Sequence, residues 1–107
     1  MATIAALVPD LFFASKVDAT LTAAGHQVIP VADVAAAQAA GAAVIVADLG
    51  AIGPEDLAEA GAPVLGFYPH TDTDLRARAD AARLARVVPR SRAARELPEL
   101  VAGLLSG

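Results

Sequence analysis

The sequence contains no cysteine, so it has neither a disulfide framework nor a thiolate site. Although 56% of its 107 residues are hydrophobic and the mean hydropathy is +0.54, no run approaches the roughly 18 apolar residues that cross a bilayer. The first residues, Met1 to Ile4, lack the basic start of a secretory signal. These absences favour one cytoplasmic domain over residues 1–107.

Motifs of several enzyme classes are missing as well. The loop after the first predicted strand, Val8 to Phe12, has none of the glycines that bind a dinucleotide. Ser91 lies outside any Gly-x-Ser-x-Gly turn, and we interpret it as a helix N-cap. His70 has no second histidine or acid at a recognisable metal-ligand spacing, which favours a loop histidine bonded to local backbone. The sequence therefore favours a protein without enzymatic activity.

Strand and helix patterns alternate along the chain. Short apolar runs bounded by glycine or proline predict strands, and segments with apolar residues at helical spacing predict helices. The predicted strands are 3–8, 26–31, 64–68, 86–89 and a central one within 43–50 that has Asp48 at its carboxyl end. The predicted helices are 11–24, 34–40, 54–60, 74–84 and a last one from Ser91 onward, whose second part begins near Pro98.

Several side chains receive local roles from these patterns. Asp33 is predicted to cap the second helix, and Thr71 or Thr73 the fourth. Pro30 favours an edge position for the second strand, since proline cannot donate a ladder hydrogen bond. The predicted inward stripe of the first helix consists of Phe12, Val17, Leu21 and Ala24.

Five strands alternating with helices predict a three-layer α/β domain with a doubly wound parallel sheet. Right-handed crossovers favour the flavodoxin-like strand order 2-1-3-4-5, in which the first and third strands are neighbours. Asp10 follows the first strand and Asp48 ends the third. The sequence therefore places two carboxylates at one edge of the sheet, where they could bind Mg²⁺ or cap the following loops.

These positions resemble the CheY-like receiver domain of bacterial response regulators over nearly the whole chain. In Val44-Ile45-Val46-Ala47-Asp48-Leu49-Gly50, Asp48 matches the aspartate that accepts a phosphoryl group in that family, and Asp10 matches an acid that helps to bind Mg²⁺. Arg90 stands where the family has a lysine that contacts phosphate, and Tyr68 where it has a serine or threonine. The resemblance therefore implies a degenerate, pseudo-receiver variant of the fold.

A second resemblance covers two shorter segments, Asp10 to Lys16 and Phe67 to Asp72, which look like parts of short, stand-alone, receiver-like bacterial proteins. It implies no activity. Lys16 could neutralise Asp10 or Asp48 in place of a metal, or it could remain solvated. His70 follows the fourth strand and is expected in a loop at the same edge of the sheet.

Basic residues are concentrated in the last third of the chain. Up to position 75 the only base is Lys16, against nine acids, whereas 76–107 holds seven arginines against three acids. Acids at helical spacing from the arginines favour a solvated, locally paired surface over a nucleic-acid site. The predicted pairs are Asp72–Arg76, Asp74–Arg78, Arg92–Glu96 and Arg95–Glu99.

The receiver resemblance also implies a place for partners, because receivers commonly use the face of the fourth helix, fifth strand and fifth helix for dimers and outputs. Here that face would carry Arg76, Arg83, Arg86, Arg92 and Arg95. The leading hypothesis is a non-enzymatic signalling module that binds a protein partner or a second copy of itself there, away from membranes and nucleic acids.

One alternative is an Mg²⁺-dependent receiver of a two-component system, phosphorylated on Asp48 by a histidine kinase. Another is a flavodoxin-like module that binds a small ligand at the same edge as Asp48.

Overall fold

Five parallel strands alternate with helices in the computed structural model, which describes residues 2–69 and 71–106. The strands are β1 (Thr3–Leu7), β2 (Gln27–Pro30), β3 (Val44–Asp48), β4 (Val64–Tyr68) and β5 (Arg86–Pro89). The α-helices are α1 (Leu11–Ala23), α2 (Val34–Ala39), α3 (Thr73–Ala81) and α4 (Arg90–Ser106). The predicted third helix is a single 3₁₀ turn, Pro54–Leu57, so the predicted fourth and fifth helices correspond to α3 and α4.

The strands form one sheet of order β2-β1-β3-β4-β5, and every neighbouring pair is parallel. This confirms the predicted flavodoxin-like fold. Pro30 lies in the edge strand β2, as predicted, where a missing N–H costs no ladder bond on the open side. Because β1 and β3 are neighbours, with Leu7 opposite Ala47, the loops that follow them meet at one edge of the sheet.

Helices cover both faces of the sheet, which explains the unbroken apolar runs of the central strands. Val44 and Val46 are buried on one face, in a cluster with side chains of α1 and α4. Ile45 and Ala47 are buried on the other face, with side chains of α2, the 3₁₀ turn and α3. Alternation along β3 therefore sends successive side chains into two separate cores.

The inward stripe of α1 differs from the prediction at both of its ends. Phe13, Val17 and Leu21 are buried, whereas Phe12 is 91% exposed. Residues 13, 17 and 21 are spaced by four and share one helix face, while a residue one position earlier points about 100° away. The predictions for Phe12 and Ala24 were therefore wrong: Phe13 takes the inward place beside the sheet, and Ala24 is the exposed C-cap after the last helical residue.

An aspartate caps α3 where the sequence predicted a threonine. Asp72 accepts a hydrogen bond from the N–H of Leu75 at 2.9 Å, so neither Thr71 nor Thr73 is the cap. Threonine and aspartate can both cap a helix, and the aspartate adds a favourable charge at the positive end of the helix dipole. Asp33 caps α2 as predicted, accepting the N–H of Ala36 at 2.7 Å.

The last helix, α4, begins at once after β5 and is interrupted near its middle. It starts at Arg90, so Ser91 lies within the first turn and is not the predicted N-cap. Glu96 has non-helical backbone angles, φ −123° and ψ 19°. Pro98 then opens the second part, as predicted, because a residue without an N–H costs nothing in a first turn. In the part of the chain that the structure describes, no helix is long and apolar enough to cross a membrane.

Candidate functional site

All five parallel strands end at the same edge of the sheet, which we call the carboxyl edge. Asp10 lies three residues beyond β1, Asp48 ends β3, Tyr68 ends β4, and Arg90 follows β5 directly. The strand order brings these four positions together across neighbouring strands. The predicted site residue His70 lies outside the described residues.

Asp10 and Arg90 form an ion pair across the carboxyl edge. Arg90 Nη2 donates to Asp10 Oδ2 at 2.6 Å, although the two residues are 80 positions apart in sequence. The other oxygen, Oδ1, accepts the N–H groups of Phe12 at 3.0 Å and Phe13 at 3.4 Å, which makes Asp10 the N-cap of α1. The Arg90 hydrogen bond, followed by that from the Phe13 N–H, holds the pKa of Asp10 below its ordinary value of 3.8.

The same arginine lies over two aromatic rings. Its guanidinium carbon is 4.5 Å from the centroid of the Phe13 ring and 5.9 Å from that of Phe67. The two rings are themselves in contact, with centroids 4.7 Å apart, and both side chains are buried. Arg90 therefore combines a charge-assisted hydrogen bond with cation–π contacts, and it connects the first residue of α4 to α1 and β4.

Asp48 has a local structural role. Its Oδ1 accepts the N–H of Gly50 at 2.9 Å, and its carbonyl oxygen accepts the N–H groups of Ala51 and Ile52 at 3.0 Å each. This is the loop-capping arrangement that aspartate adopts at many turns. Its second carboxylate oxygen has no hydrogen-bond partner among residues 2–69 and 71–106, so the carboxylate is only partly engaged. The Asp48 side chain is half-buried.

Tyr68 is buried on the opposite face of the sheet from Arg90. It belongs to the core cluster that includes Leu75 and Ala79 of α3, whereas its neighbour Phe67 belongs to the other cluster. Arg76 Nη1 donates to the Tyr68 hydroxyl at 3.0 Å, and this hydrogen bond is the main reason that the pKa of Arg76 is raised. The tyrosine hydroxyl is thus held by α3, and it does not join Asp10 and Arg90.

Lys16 lies on the exposed side of α1 and forms no ion pair with any described residue. Of the two predicted alternatives for Lys16, its exposed position agrees with the solvated lysine. The positive charge beside Asp10 comes instead from Arg90.

The carboxyl edge does not fit the Mg²⁺ ion that the receiver resemblance implies. Both oxygens of Asp10 already accept hydrogen bonds, and Arg90 already supplies a positive charge at contact distance. A bound Mg²⁺ needs oxygen ligands in octahedral geometry and keeps several waters. A metal bound through Asp10 Oδ2 would have to displace Arg90.

The ion pairs on α3 and α4 agree only in part with the predicted helical pairs. Arg92 and Glu96 form the predicted contact, at 3.3 Å. Elsewhere the predicted partners are wrong, because an acid on another element, an acid in the following turn or a backbone carbonyl takes the arginine. Arg76 pairs with Asp80 at 3.6 Å, Arg78 with Glu55 at 2.6 Å, and Arg95 donates to the carbonyl of Ser91 at 3.4 Å.

The sequence could not have identified two features of the site. The first is the floor of Phe13 and Phe67 beneath Arg90, because the three residues come from distant parts of the chain. The second is the contact between Arg78 and Glu55, in which two hydrogen bonds of 2.9 and 2.6 Å join α3 to the 3₁₀ turn. No spacing rule within one helix predicts either contact, since both depend on how elements pack.

No protein-family profile and no curated protein sequence matches the chain. Solved structures do match. The receiver domain of a sensor histidine kinase from Pseudomonas aeruginosa, with a magnesium ion in its active-site cleft, has a TM-score of 0.81 at 15% identity, covering 99% of this chain and 98% of that one. A putative response regulator from Chloroflexus aurantiacus gives 0.82 at 16% identity, with 99% and 98% covered.

NtrX from Brucella abortus, in complex with ADP, gives a TM-score of 0.81 at 17% identity. The match covers 98% of this chain but 27% of NtrX, so the chain spans about a quarter of that larger protein and nearly all of the two structures above. At these identities the agreement concerns the fold. The chain has the fold of bacterial response-regulator receiver domains.

Proposed function

We propose that this chain is a non-enzymatic signalling module that acts through a protein-binding surface and not through phosphoryl transfer. The observation that carries the proposal is the state of Asp10, whose two carboxylate oxygens are engaged by Arg90 and by the first N–H groups of α1. A receiver that accepts a phosphoryl group at Asp48 would need Asp10 as a ligand for Mg²⁺. In this chain Asp10 is instead the N-cap of α1 and the ion-pair partner of Arg90.

The proposed surface is the α3–β5–α4 face, defined by Arg83, Arg86, Arg92, Glu96 and Leu100. Arg83 and Arg86 are exposed, and Arg86 lines a groove of about 340 Å³ together with Arg92, Glu96 and Leu100. The ion pair between Arg92 and Glu96 is exposed to about 40% on each side chain, so little free energy is lost when either exchanges its partner. A surface with both charge signs can complement itself across a two-fold axis. We therefore propose a second copy of the chain as its partner.

Analytical ultracentrifugation over a wide concentration range tests this interface. The wild-type protein is expected to form dimers, and Arg83→Glu and Arg92→Glu are expected to shift it toward monomer because they place like charges opposite each other. Lys16→Glu is the matched control, since it makes the same change of charge on exposed α1. A wild-type protein that stays monomeric at high micromolar concentration would overturn self-association.

The phosphoacceptor receiver is the second candidate, and one observation favours it. Asp48 ends β3 with one carboxylate oxygen that has no partner among the described residues. Incubation with acetyl phosphate and Mg²⁺, followed by intact-mass measurement, separates the two functions. The interaction module is expected to give no adduct, whereas a phosphoryl adduct that disappears in Asp48→Asn would establish the receiver chemistry and make a histidine kinase the expected partner. The small-ligand hypothesis stays a prediction.

A further inference from the structure

The contacts at the carboxyl edge lead to a further inference about charge, which shares the engagement of Asp10 with the proposed function but does not depend on the α3–β5–α4 face. We propose that Arg90 is the built-in cation of this edge: its guanidinium neutralises Asp10, and the edge is stable without Mg²⁺. The proposal rests on the ion pair at 2.6 Å, on the aromatic floor beneath the guanidinium, and on the hydrogen bonds that occupy the rest of Asp10.

Charge balance is the first step. Asp10 and Asp48 belong to the loops that follow the neighbouring strands β1 and β3, so both carboxylates add negative charge to the carboxyl edge. A cation at this edge offsets that charge. Arg90 provides one at hydrogen-bonding distance from Asp10, and as an arginine it keeps its charge at every physiological pH.

The groups around the Arg90 side chain match the shape of a guanidinium. The guanidinium has an edge that donates hydrogen bonds and flat faces that stack on aromatic rings. Its edge meets Asp10 Oδ2, and its carbon lies 4.5 Å from the centroid of the buried Phe13 ring. A hydrated Mg²⁺ ion would need oxygen ligands and water on all sides, which an aromatic floor does not offer. The surroundings therefore suit a guanidinium better than a metal ion.

Both residues of the ion pair belong to rigid elements of the fold. Arg90 is the first residue of α4 and follows β5 without a loop, so its backbone position is fixed by the sheet. Asp10 is fixed as the N-cap of α1 by two N–H groups. The ion pair therefore joins two rigid elements and needs little ordering of flexible backbone when it forms.

Calorimetric titration with MgCl₂ tests the proposal on the folded protein. The wild-type protein is expected to show no Mg²⁺ binding beyond that of Asp10→Asn, and its melting temperature is expected to be the same in MgCl₂ and in NaCl of equal ionic strength. Arg90→Met keeps much of the apolar stem but removes the charge, so it is expected to melt about 4 °C lower and to regain stability in MgCl₂. Arg95→Met, an exposed arginine on the same helix, is the matched control.

Two results would overturn the built-in cation. One is Mg²⁺ binding by the wild-type protein that Asp10→Asn abolishes, which can be measured even if Arg90→Met fails to fold. The other is a folded Arg90→Met variant whose response to MgCl₂ equals that of Arg95→Met. Neither result bears on dimer formation, so failure here is distinguishable from failure of the proposed α3–β5–α4 interface.

Discussion

At Gly66, in the middle of β4, the absence of a side chain has a specific cause. A Cβ atom at this position would lie 2.8 Å from Leu49 Cδ1, closer than real Cβ atoms approach another carbon. Leu49 is buried and follows Asp48 directly, so its side chain crosses the sheet over Gly66. The residue after the candidate phosphoacceptor therefore depends on a glycine in the neighbouring strand.

We expect Gly66→Ala to lower the free energy of unfolding by about 1–3 kcal/mol, because Leu49 must move in a filled core. Urea unfolding measures the change. Gly103→Ala is the control: Gly103 lies in α4 with open space around it, so alanine there is expected to stabilise by about 0.5–1 kcal/mol through helix propensity. Equal effects of the two substitutions would contradict the close contact.

At the scale of single elements, α4 is attached to the sheet by a few residues on either side of its interruption. Ala93 precedes Glu96, and Leu97, Leu100 and Val101 follow it, and all four are buried. The apolar spacing of the second part was visible in the sequence, and so was the role of Pro98. The start of the helix was not, because the sequence offered Ser91 as a good N-cap and gave no sign that β5 runs directly into α4.

Leu97→Ala is expected to destabilise the protein by about 2–5 kcal/mol, because Leu97 is 1% exposed and its loss leaves a cavity beside the interruption. Leu105→Ala, in the last turn of the same helix, is expected to change stability by no more than about 0.5 kcal/mol, since Leu105 is 38% exposed. Chemical denaturation of both variants checks the difference. A small effect of Leu97→Ala would mean that α4 is not a cooperative part of the fold.

The whole molecule brings together the acidic and basic parts of the chain. Two of its ion pairs, Arg90–Asp10 and Arg78–Glu55, join an arginine from the basic last third to an acid from the acidic first two thirds. Both contacts lower the pKa of the carboxyl group below its ordinary value, 3.8 for Asp10 and 4.5 for Glu55. The charge asymmetry of the sequence is therefore compensated in part within the fold.

These lowered pKa values predict a loss of stability in acid. A carboxyl group whose folded-state pKa lies below its unfolded value stabilises the protein above the unfolded pKa, and that contribution disappears as the pH falls through the folded pKa. The decline should therefore begin near pH 4.5 for Glu55 and near 3.8 for Asp10.

Thermal melts from about pH 5 to about pH 3 measure this decline. Asp10→Asn/Glu55→Gln, which cannot titrate at either position, should show a shallower decline than the wild-type protein. Because both pairs are partly exposed, added salt should reduce the difference. An unchanged pH dependence in the double variant would show that these ion pairs do not contribute to stability.

The sequence by itself determined the strands, their parallel order and the edge of the sheet at which Asp10, Asp48 and Arg90 lie. Apolar periodicity is a local property, and the handedness of crossovers leaves few topologies, so this level of structure can be derived without coordinates. Only the tertiary structure decided which groups bind each other at that edge. Hydrogen bonds and ion pairs depend on distances of a few ångströms between residues far apart in sequence. For that reason the sequence could predict Asp10 as a carboxylate at the carboxyl edge. It could not predict the ion pair of Asp10 with Arg90, or the position of Arg90 over the Phe13 ring.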